Sequence, residues 1–108
     1  MSKSGKVLLH DKPVGDIWQD EEGYWFQYLP DYVANPIYGP VSQTLPVREY
    51  VYHDDRNLIP FFDGLIPEGW LLDITVKNWK LNEKDRMELL LTVCKDCIGA
   101  VGVIRNEE

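Results

Sequence analysis

The first thirty residues alternate short apolar runs with polar turns, in the pattern typical of antiparallel strands. Runs rich in β-branched and aromatic side chains predict strands at residues 6–10, 14–19 and 24–29. Asp11-Lys12-Pro13, between the first two strands, is typical of a turn, and the polar loop before the third strand ends at Gly23. We therefore predict that the chain begins with a three-stranded antiparallel meander.

Proline and glycine interrupt the next part of the chain, residues 30–46, and make long regular elements unfavourable there. A short strand is predicted at residues 47–52, followed by a polar turn at residues 53–57. From Pro60 to Trp70 the chain then changes from strand-like to helix-like sequence. We interpret this stretch as a compact connector that buries four apolar side chains in the core: Phe61, Phe62, Leu65 and Ile66.

Two helices and a last strand are predicted in the second half of the chain. The first helix covers residues 67–79 and begins at Pro67, because proline is favoured at the first helical position. The second covers residues 82 to 94 or 95, with Asn82 as its N-cap, and the strand covers residues 99–104. These elements predict a single α+β domain, residues 1–108. In it a small antiparallel β-sheet, formed by the N-terminal meander plus the C-terminal strand, packs with two α-helices.

The first predicted helix has two apolar sides, and one core face cannot bury both. At about 100° per residue, three residues fall on one side: Leu72, Val76 and Trp79. Trp70 and Ile74 fall roughly opposite, and Asp73 and Lys77, spaced to pair on a helix surface, border their side. We therefore predict that the side of Trp70 meets solvent or a partner, since tryptophan is enriched at the energetic centres of protein interfaces. Packing of Trp70 in the core is the competing interpretation.

The chain is acidic, with 18 Asp and Glu against 11 Lys and Arg and a formal net charge of −7. This balance argues against autonomous nucleic-acid binding, which relies on clustered Lys and Arg, and favours encounter with a basic partner. No run approaches the roughly 18 apolar residues that span a bilayer, and no signal peptide is evident. Two cysteines fit a reducing compartment. We therefore expect a cytoplasmic protein.

Three sequence patterns suggest chemistry but lack the features that it needs. The C-x-x-C at residues 94–97 falls at a predicted helix C-terminus, whose dipole opposes thiolate formation, and no histidine stands at zinc-site spacing. Residues 99–102 lack the Lys-Ser/Thr ending of a phosphate-binding loop. Residues 53–55, with Asp63 and Glu68, contain acid-base and metal-ligand side chains, but no catalytic motif surrounds them. We expect no enzymatic activity, no metal and no cofactor.

Five sequence blocks follow one another along the chain: Val14-Gly15, Phe26-x-Tyr28, Val41-Ser42-x-x-Leu45-Pro46, the run from Phe61 to Gly69, and Cys97-Ile98-Gly99-Ala100-Val101. In this order they resemble the N-terminal subdomain of HipA-type serine/threonine kinases along nearly the whole chain, and the run at residues 61–69 is the most specific. The resemblance implies a small α+β unit that is normally followed by a kinase core in the same polypeptide. No nucleotide-binding loop or catalytic aspartate motif follows before Glu108, so we expect no kinase activity from this chain alone.

As a freestanding version of this subdomain, the chain is similar to the HipS family, the small antitoxins of tripartite HipBST toxin-antitoxin systems. That resemblance implies an antitoxin that binds and inhibits a separate HipT-like serine/threonine kinase, alongside a HipB-like DNA-binding protein in a ternary complex. For the contact with the kinase we predict that Trp70 projects towards the active-site cleft, flanked by Asp63 and Glu68, with Asp73 and Ile74 on the same side. The alternative function is a structural accessory subdomain that completes a HipA-type kinase fold without inhibiting it.

Overall fold

A computed structural model describes residues 3–66, 86–93 and 101–106, and five strands and three helices lie within them. The strands are β1 (Lys3–Leu9), β2 (Lys12–Asp20), β3 (Gly23–Tyr28), β4 (Tyr52–Asp54) and β5 (Val101–Arg105). The helices are α1 (Pro30–Ala34), α2 (Pro60–Asp63) and α3 (Arg86–Val93). The strands form one antiparallel sheet in the order β4-β3-β2-β1-β5. The predicted α+β class is confirmed, with the N-terminal meander and the C-terminal strand in the same sheet.

The turn between β1 and β2 is the two-residue loop His10-Asp11, where both residues have positive φ (51° and 65°). Loops with positive φ at both positions suit tight hairpins, because their twist matches that of the strands. The turn predicted at residues 11–13 is therefore wrong by one residue, and Pro13 lies inside β2. The register of the two strands shifts beside this proline, which leaves Val14 as the extra residue of a β-bulge.

Gly23 begins β3 and brings the loop before it against β4. Its φ is +130°, and a Cβ atom at this position would lie 2.4 Å from the carbonyl oxygen of Asp54. Only glycine fits such a close backbone approach without strain. The register of β4 on β3, with Tyr24 opposite Asp54, follows from this contact.

The fourth strand differs from its prediction, because it covers Tyr52–Asp54 and residues 47–51 lie outside it. The alternation at residues 47–52 does not mark a buried face, since Tyr50 is 77% exposed. The loop instead folds back on the strand: the Tyr52 hydroxyl donates a hydrogen bond to the carbonyl oxygen of Pro46, and the Arg48 guanidinium lies 3.9 Å above the Tyr52 ring. The alternation of apolar and polar residues in the sequence does not predict local contacts of this kind.

The hydrophobic core lies on one face of the sheet, beneath α2 and α3. Alternate residues of the strands supply its floor, among them Val7, Ile17, Phe26 and Val103, which are fully buried. Helix α3 adds Met87, Leu89, Leu90 and Leu91. The prediction that residues 61, 62, 65 and 66 enter the core is confirmed: three of them are buried, and Phe61 is partly buried and packs against the core.

The helices agree only in part with the prediction. Helix α3 falls inside the predicted residues 82–95, whereas α1 and α2 occupy stretches that we did not predict as helical. Both of these short helices have proline at their first position, where the missing N–H costs nothing. None of the three described helices is long and apolar enough to cross a membrane. The helix predicted at residues 67–79 lies outside the described residues.

Candidate partner-binding surface

Of the five residues predicted to contact a partner, Asp63 lies within the described structure. The other four lie outside the described residues: Glu68, Trp70, Asp73 and Ile74. The cysteines of the C-x-x-C at residues 94–97 also lie outside them. The described chain does show how the segment that leads to Trp70 is held in place.

Helix α2 is anchored through Phe62, which is fully buried. Its ring lies 5.0 Å from that of Phe26 in β3 and 5.2 Å, edge to face, from that of Phe61. Tilted and edge-to-face ring pairs add to the energy of burial. The backbone N–H groups of Phe62 and Asp63 donate to the carbonyl oxygen of Ile59, which closes the first turn. This turn is therefore fixed to β3.

The next turn continues the anchor as far as Ile66. The N–H of Leu65 donates to the carbonyl oxygen of Phe62 at 3.1 Å, and that of Ile66 to the carbonyl oxygen of Asp63 at 3.2 Å. Both side chains, Leu65 and Ile66, are buried. The segment is thus fixed to the core as far as Ile66.

An ion pair connects α2 to α3. Arg86 Nε lies 2.6 Å from Asp63 Oδ1, and Arg86 Nη2 lies 3.4 Å from the Asp63 carbonyl oxygen. The Asp63 side chain is 43% exposed, so the pair contributes on the order of 0.5 kcal/mol rather than the larger value of a buried pair. The sequence did not indicate Arg86, because the two residues stand 23 positions apart. A partner's cation would share the Asp63 carboxylate with this arginine.

Among the described residues, large exposed apolar side chains occur in the irregular segments on either side of residues 39–46. They are Ile37, Tyr38, Tyr50 and Val51.

Two buried tyrosines, Tyr28 and Tyr32, hold residues 39–46 in place. The Tyr28 hydroxyl donates to the carbonyl oxygen of Leu45 and accepts from the N–H of Val41, and the Tyr32 hydroxyl donates to the carbonyl oxygen of Gly39. Burial raises the pKa of Tyr28 to about 12, so its hydroxyl is a neutral donor at physiological pH.

A cavity of about 420 Å³ lies between α1 and the open edge of β3. It is lined by Gln27, Tyr28, Pro30, Val33, Ala34 and Glu49. The Gln27 amide donates to the carbonyl oxygen of Glu49 at 3.1 Å, which joins the loop to the strand at one wall. The lining suits an apolar side chain, and the Tyr28 hydroxyl beside it is already held by the backbone of Leu45 and Val41.

The acid-base residues noted at positions 53–55 have structural partners. His53 Nε2 lies 2.8 Å from the carbonyl oxygen of Glu22, and the His53 ring stacks on Trp25. Asp54 Oδ1 accepts the backbone N–H groups of Asn57 and Arg56, and these hydrogen bonds lower the pKa of Asp54. Within residues 3–66, 86–93 and 101–106, no three His, Cys, Asp or Glu side chains are grouped to hold a metal ion.

Comparison with known proteins places this fold in a family. A family model described as the HipA N-terminal domain matches residues 5–104. A protein of Haemophilus influenzae (strain Rd) is 34% identical over 106 residues, which cover 98% of this chain and 95% of that protein. A solved structure described as the N-terminal domain of HipA toxin superimposes with a TM-score of 0.75 at 31% identity, over 98% of this chain and 94% of that one.

A more distant structure has the same fold. The HipA of Shewanella oneidensis MR-1, solved in complex with HipB and its operator DNA, superimposes with a TM-score of 0.75 at 19% identity. The match covers 96% of this chain and 24% of that one. The resemblance to HipA seen in the sequence is thus confirmed at the level of the domain, and the chain belongs to the HipA N-terminal domain family.

Proposed function

We propose that this chain is the antitoxin of a toxin-antitoxin system and acts in the cytoplasm, without catalysis of its own, by binding and inhibiting a separate HipA-like serine/threonine kinase of the HipT type. The observation that carries the proposal is the match to the N-terminal domain of a HipA toxin over 98% of the chain. The Haemophilus relative is matched over 95% of its own length, so the matched sequence makes up nearly all of that protein.

The anchored segment of residues 60–66 supports the position that we propose for the inhibitory contact. Because Phe62 and Ile66 are buried, the described segment is held in the core up to Ile66. In the proposed mode, a helix starts at Pro67 and presents Trp70 to the kinase about one helical turn later. A preorganised anchor of this kind reduces the ordering cost that binding must overcome.

Charge supports the same mode. The chain has a net charge of −7, and a kinase active site carries basic groups that meet ATP phosphates. Asp63 and Glu68 would pair with such groups beside Trp70, and Asp73 and Ile74 would extend the contact along the helix. In the Shewanella structure HipA stands with HipB and DNA. By analogy, a HipB-like protein is our proposed third member of the complex.

The experiment measures kinase inhibition with purified components. The kinase is a HipA-type protein of the same genome that lacks its own N-terminal domain. We expect the wild-type chain to bind it, measured by calorimetry, and to suppress its autophosphorylation. Trp70→Ala should raise the concentration for half-inhibition by about 30-fold or more, the effect of losing an interface hot spot.

The matched control is Tyr50→Ala, which also truncates an aromatic side chain, here one that is 77% exposed outside the proposed contact. It should inhibit like wild type, and circular dichroism should show both variants to be folded. Full inhibition by folded Trp70→Ala would contradict the role of Trp70. Binding that leaves kinase activity unchanged or raises it would favour the accessory-subdomain alternative, and absence of binding would reject both.

A further inference from the structure

Three aromatic side chains form a row on the sheet face that points away from the core. Trp18, Trp25 and His53 are paired in register across β2, β3 and β4. Their chain neighbours Ile17 and Phe26 are fully buried in the core, and alternate residues of a strand point to opposite faces. We call Trp18, Trp25 and His53 the aromatic ladder; it occupies the face opposite α2 and α3.

The rings of the ladder are stacked and held in place. The Trp18 and Trp25 rings are nearly parallel, 5° apart with centroids 6.0 Å from each other, and the Trp25 and His53 centroids are 3.8 Å apart. Because the carbonyl oxygen of Glu22 can only accept, His53 Nε2 must carry the proton in the hydrogen bond between them. On its other side, Trp18 faces Ser4 of β1, a side chain too small to cover an indole ring.

Carboxylates border one end of the ladder. The β2–β3 turn and the residues around the end of β4 lie side by side at Gly23 and together carry four acidic residues, the acidic rim: Asp20, Glu21, Glu22 and Asp55. Asp20 Oδ1 accepts the indole N–H of Trp25 at 2.9 Å and the backbone N–H of Glu22 at 2.9 Å. Among the residues that the structure describes, no lysine or arginine lies within ion-pair distance of Asp20.

We propose that the aromatic ladder and the acidic rim form a docking surface for an arginine-containing segment of a protein partner. The argument is charge complementarity joined to ring geometry. A guanidinium is planar, stacks on indole rings and is more weakly hydrated than an ammonium, so it fits a surface with stacked rings beside carboxylates better than lysine does. Nucleic acid is the wrong occupant, because its phosphates would meet the rim with like charge.

The ladder and the segment that leads to the proposed Trp70 contact lie on different faces of the sheet. The segment at residues 60–66 packs on the core face of the sheet through Phe62, whereas the ladder lies on the opposite face.

The test uses two blocked peptides, acetyl-Gly-Arg-Gly-Arg-Gly-amide and its lysine analogue, titrated into the full chain at low salt. Nuclear magnetic resonance follows the indole N–H signals of Trp18 and Trp25, assigned by substitution. We expect saturable shifts of these two signals with the arginine peptide, and affinity at least about threefold weaker for the lysine peptide. Equal affinity for the two peptides, or shifts that avoid both indoles, would overturn the proposal.

Substitutions distinguish binding at this surface from attraction to the overall negative charge of the chain. Glu21→Gln in the acidic rim and Asp31→Asn in α1 remove the same charge from exposed positions. We expect Glu21→Gln and Trp18→Thr each to lower the affinity for the arginine peptide about two- to fivefold, and Asp31→Asn to leave that affinity unchanged. Equal weakening by Glu21→Gln and Asp31→Asn would reject a local site. If Trp18→Thr does not fold, the test rests on the shifts of the two indole signals in the wild-type chain and on the comparison of Glu21→Gln with Asp31→Asn.

Discussion

Removal of the Tyr28 hydroxyl tests how the irregular segment after α1 is held to the sheet. Tyr28 is 2% exposed, and its hydroxyl donates to the carbonyl oxygen of Leu45 and accepts the N–H of Val41 at 3.0 Å. Tyr28→Phe keeps the ring and its contacts with Phe26 and Tyr32. The substitution therefore isolates the two hydrogen bonds from the packing.

The expected loss follows from the two backbone groups left behind. A buried donor or acceptor without a partner costs about 1–3 kcal/mol, and partial access of water to the loop reduces the sum, so we expect Tyr28→Phe to lower the free energy of unfolding by about 2 kcal/mol. With a urea slope of about 1.5 kcal/mol per molar, the denaturation midpoint should fall by roughly 1.3 M. Amide exchange at Val41 should accelerate more than exchange in β1 or β2.

The difference in unfolding free energy between wild type and Tyr28→Phe should depend on pH, and the direction of that dependence follows from the pKa of Tyr28. Burial raises the pKa of Tyr28 from 10.0 to about 12. The stability that Tyr28 contributes is therefore complete below pH 10 and is lost as pH rises through 12, because the unfolded chain ionises first. The gap in unfolding free energy between wild type and Tyr28→Phe should narrow across that interval.

Tyr50→Phe is the control, since its hydroxyl belongs to a side chain that is 77% exposed, and its unfolding free energy should stay within about 0.5 kcal/mol of wild type. The reasoning is refuted if Tyr28→Phe is as stable as Tyr50→Phe and the Val41 amide keeps its protection.

Two further pairs of substitutions test the contacts that set the position of neighbouring elements. Gly23→Ala should lower the free energy of unfolding by about 2 kcal/mol in thermal denaturation, because its Cβ would meet a carbonyl oxygen at 2.4 Å. Gly39→Ala is the control: its φ is +74° but the space around it is open, so it should lose about 1 kcal/mol. Equal losses in the two variants would reject the steric argument. Asp63→Asn and Arg86→Ala should each cost about 0.5–1 kcal/mol in urea denaturation, and a double-mutant cycle should show their coupling shrink in high salt. Strictly additive losses at low salt would mean that the ion pair contributes nothing.

Much of the candidate surface was not predictable from local sequence. Asp63 was predicted to face a partner from its charge and position, but its contact with Arg86 depends on how α3 packs beside α2. The anchoring role of residues 61–66 was predictable, since large apolar side chains between prolines and glycines have no better place than the core. Nothing in the periodicity indicated that Trp18, Trp25 and His53 share a row.

The sequence by itself determined the elements whose signals are local. Alternation and β-propensity placed β1, β2 and β3 to within a few residues, and helical periodicity placed α3, because these patterns reflect burial on one face of a single element. Tertiary structure alone decided the placement of β4 and β5 at opposite edges of the sheet and the junction of the two acidic segments at Gly23. Each of these depends on contact between residues far apart in sequence, and such contacts arise from the competition among strands for the same sheet edges, which no local pattern records.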